Sequence, residues 1–140
     1  MLRIATVDDN PADLKEIRMC LSHYFQKRAG QTPIDYTISA YTSGPSFLEN
    51  FEKGDYDLIL LDIYMPRMTG MQVAEAIRAI DEDAWIIFLT TSRDHALESY
   101  NVFASGYVLK PLLENAPQLE TLLTRLLPED ALAAKTQRSE

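Results

Sequence analysis

The sequence predicts an α/β protein with a doubly wound, five-stranded parallel sheet. Three observations carry that reading. Short apolar runs alternate with longer amphipathic stretches in the order βαβαβαβαβα across the 140 residues. The runs DLILL and WIIFLT are continuously apolar rather than alternating, as in strands buried on both faces of a parallel sheet. Alternation of strand and helix then requires right-handed crossovers with helices on both faces.

LRIATV (2–7) is a short β-rich run ending at Asp8-Asp9. Asn10-Pro11 reads as an N-cap followed by proline at the first helical position. Leu14, Ile17, Leu21 and Phe25 recur at helical spacing, which predicts an amphipathic helix over 11–28, closed by Gly30. IDYTISAY (34–41) alternates as a strand. SGPSFLENFEKG (43–54) reads as a short helix capped by Ser43 and closed by Gly54. DLILL (57–61) and WIIFLT (85–90) are buried strands flanking a helix over 70–81, with Met71, Ala74, Ile77 and Ile80 inward. DHALESYNVFASG (94–106) reads as a helix with a glycine stop, and YVLK (107–110) as a short strand. The last helix spans 114–127, with Leu119, Leu122, Leu123 and Leu126 as its apolar face. Pro117 fits only a first turn, which moves the start toward Ala116.

Composition narrows the class. The chain is 46% hydrophobic and 24% charged, ordinary for a soluble globular protein, and its length suits one domain with a real core. No apolar run approaches the roughly 20 residues that span a bilayer, and the N-terminus lacks a signal-peptide pattern. Cys20 is the single cysteine, which excludes an internal disulfide and points to a reducing cytoplasm. It reads as small helix packing rather than a redox sensor. His23 and His95 lack metal-ligand spacing with it. The net charge of -8 makes this chain alone a poor binder of nucleic acid.

Doubly wound sheets place their sites at the carboxyl ends of the strands. There stand Asp8 and Asp9 after the first strand and Asp62 after the third. Thr90 and Thr91 end the fourth strand, and Lys110-Pro111 the fifth. Each alone has a plain explanation: Asp62 as a turn residue, Asp8-Asp9 as helix-dipole partners, Lys110 as a surface lysine. Together they place three carboxylates, a hydroxyl and an ammonium on one rim. Carboxylates so close repel one another, and a hard divalent cation such as Mg²⁺, which favours oxygen ligands, resolves the conflict. Lys and Thr add donors for phosphoryl oxygens, and a carboxylate is a candidate nucleophile.

At these residues the chain resembles the receiver domain of two-component response regulators, over about residues 2 to 127. The resemblance implies a flavodoxin-like sheet in strand order 2-1-3-4-5 with five helices. It implies that Asp62 is the phosphoacceptor, taking a phosphoryl group from a phosphohistidine on a sensor histidine kinase. Asp9 is then a direct Mg²⁺ ligand, Asp8 a ligand through water, and Asp62 and the Tyr64 backbone carbonyl complete the protein's share. Lys110 pairs with Asp62 and then with the phosphoryl group, while Thr90 swings its hydroxyl to a phosphoryl oxygen. Tyr107 fits the family's aromatic switch position, and the Lys110-Pro111 bond is cis in the family. MPRMTG fits the loop after the phosphoacceptor. The chain would thus catalyse only its own phosphorylation and dephosphorylation. Its output would be felt on the face of the fourth helix, fifth strand and fifth helix, where a homodimer is expected.

HALESYNVFASGYVLKPLL is similar to the matching stretch of LytTR-type response regulators, which usually carry a C-terminal DNA-binding domain. Residues 1–127 are read as the receiver and 128–140 as a linker or tail, cut from the last helix by Pro128. Transcriptional control through an absent output domain is the expected role, whether the receiver is excised or stands alone. Two rival classes fit the residues less well. Phosphatases with an aspartyl intermediate need a second acid two residues after the nucleophile, where this chain has Tyr64. A phosphate-independent binding module would not need Asp8, Asp9, Asp62, Thr90 and Lys110 together.

Overall fold

The computed structural model describes residues 1–30, 33–92, 94 and 98–128. Five strands, β1 (Leu2–Val7), β2 (Tyr36–Tyr41), β3 (Leu58–Asp62), β4 (Trp85–Thr90) and β5 (Gly106–Leu109), form one sheet in the order β2-β1-β3-β4-β5. Every pairing is parallel. Four α-helices are described: α1 (Pro11–Arg28), α2 (Gly44–Leu48), α3 (Gly70–Ile80) and α4 (Ala116–Leu126).

Side-chain alternation along the strands sorts the core into two layers. Leu58 and Leu60 of β3 join Leu2, Ile4, Leu89 and Val108 under α1 and α4. Ile59 and Leu61 join Val7, Ile86 and Phe88 under α2 and α3. The central strand is buried throughout, as its unbroken apolar run requires. Burying each such aliphatic side chain stabilises the fold by about 2 kcal/mol.

The caps explain where the helices begin. The Asn10 side chain accepts a hydrogen bond from the Ala12 amide, with Pro11 as first helical residue. Thr69 and Gln72 form a reciprocal capping box at α3. Cys20 is buried in the α1 layer, and His23 is exposed.

The structure departs from the sequence reading in four places. The helix expected over 94–106 is, among the described residues, a 3-10 turn at Glu98–Val102. Residues 93 and 95–97, including His95, lie outside the described residues. Arg78 of α3 fastens the end of that turn, donating to the carbonyls of Val102 (2.7 Å) and Phe103 (3.1 Å). Among the described residues, the five expected helices are thus four α-helices and a 3-10 turn. The helix expected over 43–54 closes at Leu48; beyond it Phe51 packs back on Phe47 in an aromatic cluster that Tyr56 completes. The second strand starts at Tyr36 rather than at 34. On α3, Val73 is buried and Ile80 is 41% exposed, so the apolar stripe lies one turn nearer the N-terminus than expected. The tail expected over 128–140 lies, beyond Pro128, outside the described residues.

Candidate phosphoryl-transfer site

Strand parity also builds the site. Asp62 extends the Leu58–Leu60 series and so faces the α1 side of the sheet. Val7 pairs with Leu61, which sets Asp8, the next residue, beside Asp62. Lys110 lies two residues beyond Val108 and shares that side. Thr90 and Tyr107 have the opposite parity, that of Phe88, and belong to the α2–α3 side.

Asp8 is fully buried, Asp62 is 5% exposed and Asp9 is exposed. One carboxylate oxygen from each can be chosen so that all three lie within 4.8 Å of one another. Lys110 stands among the acids: its Nζ lies 2.7 Å from Asp8 Oδ2, 2.9 Å from Asp13 Oδ2 and 3.3 Å from Asp62 Oδ1. The Asp8 Oδ1 atom accepts from the Asn10 amide at 3.0 Å. The donor set is all oxygen with excess negative charge, which fits a hard divalent cation.

The remaining residues line the same rim. The Lys110 amide donates to the Thr90 carbonyl at 2.7 Å, locking the ends of β4 and β5. The Thr90 side chain is buried, and its hydroxyl accepts from the Ser92 amide at 3.3 Å. Tyr107 is half-buried and its hydroxyl donates to the Ser92 carbonyl. The Lys110–Pro111 peptide is cis. Tyr64 is 45% exposed. Sequence reasoning misses Asp13, which reads as an ordinary residue of the first helix. An acid in the first turn, five residues after Asp8, is the available signal.

Burial pushes the Asp62 carboxyl up to about 6, with the Asp8 charge adding to the effect and Lys110 opposing it. Burial also raises the Asp8 carboxyl. Burial would lower the Lys110 ammonium, but hydrogen bonds to Asp8 and Asp13 outweigh it and hold the lysine protonated.

These shifts give stability a definite pH dependence. A carboxyl whose folded pKa lies above its ordinary 3.8 binds its proton more tightly when folded. Ionised Asp62 therefore costs stability that grows as pH rises from about 4 to about 6 and persists above. In EDTA at pH 7, Asp62→Asn is expected to stabilise the protein by on the order of 2 kcal/mol, with the gain fading below about pH 4. Urea denaturation across pH checks this; an equal gain at pH 3 and pH 7 would contradict it.

The chain matches a known family. Residues 4–124 match the family model for the response regulator receiver domain, and the chain belongs to that family. It is 30% identical over 129 residues to the transcriptional regulatory protein RprY of Bacteroides fragilis, covering 89% of this chain and 50% of RprY. It is 26% identical to the transcriptional regulatory protein NatR of Bacillus subtilis, covering 79% of this chain and 44% of NatR. The chain thus spans about half the length of these curated relatives. Among solved structures, the Vibrio cholerae chemotaxis protein CheY4 aligns with a TM-score of 0.66 at 28% identity, covering 91% of this chain and 99% of CheY4. The response regulatory domain of mrkE from Klebsiella pneumoniae aligns with a TM-score of 0.72 over 98% of this chain and 100% of that domain. At 22% identity that last likeness shows the fold. The chain is a signalling receiver domain of the response-regulator class, and none of its described helices is long and apolar enough to cross a membrane.

Proposed function

We propose that Asp62 of this receiver accepts a phosphoryl group from the phosphohistidine of a sensor kinase, in the cytoplasm and with Mg²⁺ bound. The observation that carries the reading is the buried Asp62 carboxylate beside Asp8 at the rim of the sheet, with the Lys110 ammonium in contact with both. An Asp62 oxygen forms the bond to phosphorus while the P–N bond breaks, and the imidazole leaves with a solvent proton. Asp8, Asp9, Asp62 and the Tyr64 carbonyl are the residues to hold Mg²⁺, which when bound supplies positive charge against the phosphoryl oxygens. Lys110 supplies a second cation there, and Thr90 a hydroxyl donor. Residues 1–127 act as the receiver, and the segment from Pro128 onward acts as a linker to an output domain, through which the switch controls transcription.

The switch is a shift between two populated conformations, with Thr90 and Tyr107 as movable parts and the β5–α4 face as output. The Ser92 carbonyl that holds Tyr107 lies two residues beyond Thr90, so movement of that loop releases the tyrosine. Labelling with a small acyl phosphate and Mg²⁺, then a sedimentation measurement of mass, tests the function. Mg²⁺-dependent labelling with a shift to dimer is expected, and labelling indifferent to Mg²⁺ would contradict it.

Tyr64 supplies a further prediction. Its exposed ring stands two residues from the acceptor and can hinder water in line with the acyl phosphate. Tyr64→Asn is expected to speed dephosphorylation by about tenfold, a barrier change of about 1.4 kcal/mol. An unchanged decay rate would remove the shielding role.

A further inference from the structure

We propose that Asp13 is a positioning residue that draws the Lys110 ammonium toward itself and Asp8 and so weakens its contact with Asp62, until a phosphoryl group pulls the ammonium across. This inference rests on the phosphoacceptor reading of Asp62.

The ammonium has three N–H donors and three carboxylates within reach. It is not shared evenly. Asp8 and Asp13 take the short contacts, at 2.7 and 2.9 Å, and both are good hydrogen bonds. Asp62 has the longest contact, at 3.3 Å. Two of the three anchors therefore lie on the β1–α1 segment. Without Asp13, the ammonium would divide between Asp8 and Asp62, nearer the acceptor.

Local structure explains why Asp13 can do this. It is the third residue of α1, whose start is fixed by the Asn10 cap and Pro11. The helix dipole favours an acid there, and that is its plain explanation. Its reach to a lysine 97 residues away is not explained by the dipole. The carboxylate is also 29% exposed, whereas Asp8 is fully buried. Water can solvate Asp13 when the lysine leaves, so this contact is the one that can be given up at modest cost. The buried Asp8 contact cannot be given up so cheaply.

The two roles predict different signatures. If Asp13 only supports the helix, Asp13→Asn changes stability and leaves ligand affinities alone. If it holds Lys110 back, the variant lets the ammonium lean on Asp62. Mg²⁺ then meets a competing cation and binds more weakly. A phosphoryl mimic at saturating Mg²⁺ no longer has to pull Lys110 from Asp13, and binds more tightly.

Calorimetric titration of the parent, Asp13→Asn and Asp13→Glu separates these. Each is titrated with Mg²⁺ alone and with beryllofluoride at saturating Mg²⁺. The expected result for Asp13→Asn is about a fivefold loss for Mg²⁺ and about a fivefold gain for beryllofluoride, with Asp13→Glu returning both toward the parent. Any other pattern overturns the inference, including no change or shifts in the same direction. Absence of beryllofluoride binding to the parent would instead overturn the phosphoacceptor reading, which keeps the two failures distinct.

Discussion

Asp62→Asn is expected to abolish phosphorylation while leaving a folded and, without metal, more stable protein. The substitution keeps the shape of the side chain and removes the nucleophilic oxygen. Lys110 keeps its contacts with Asp8 and Asp13, so the rim stays paired. Loss of labelling therefore reports chemistry rather than collapse. Acyl-phosphate labelling with Mg²⁺, run beside a thermal melt in EDTA, checks both halves. A variant that labels as well as the parent would show that another carboxylate is the acceptor.

The second large effect is expected at Gly70, which contacts no phosphoryl group. A Cβ added there would lie 2.2 Å from the backbone oxygen of Asp62 and 2.9 Å from its carbonyl carbon. No rotamer relieves a clash between a Cβ and backbone. The Gly70 amide also donates to the Ile63 carbonyl at 2.9 Å, which clamps the start of α3 against the end of β3. Gly70→Ala must push those two apart, at a cost of about 3 kcal/mol, in the upper range for overpacking. Because the displaced backbone carries Asp62, labelling should fall with stability. Urea denaturation and the labelling assay measure the two effects; parent-like stability in Gly70→Ala would contradict the close approach.

Much of the fold and site is legible in the sequence, and for identifiable reasons. The continuous apolar runs at 58–61 and 85–90 can sit only in a two-sided sheet, and a parallel sheet brings its strand ends to one edge. Asp8, Asp9, Asp62 and Lys110 come from that alone, and the structure brings these four together. The strand order and the pairing of β1 with both β2 and β3 agree with the family resemblance.

The parts that are not legible depend on tertiary contacts. Periodicity over 94–106 resembles a helix. The described part is a 3-10 turn, and its end is held by side-chain hydrogen bonds from Arg78, which no local pattern encodes. Ile80 fits the apolar stripe of α3, but it is the last residue of the helix and is 41% exposed, whereas Ile77 is buried. Asp13 is invisible as a site residue because its partner is remote in sequence and because acids are common in first turns.

The most direct measurement of the central claim is to locate the phosphoryl group chemically. The parent is phosphorylated with Mg²⁺, the acyl phosphate is reduced with borohydride, and the modified residue is found by peptide mass spectrometry. Modification is expected at Asp62 alone, and is lost when EDTA replaces Mg²⁺. Modification at Asp8, Asp9 or Asp13, or at Asp62 without any need for the metal, would contradict it.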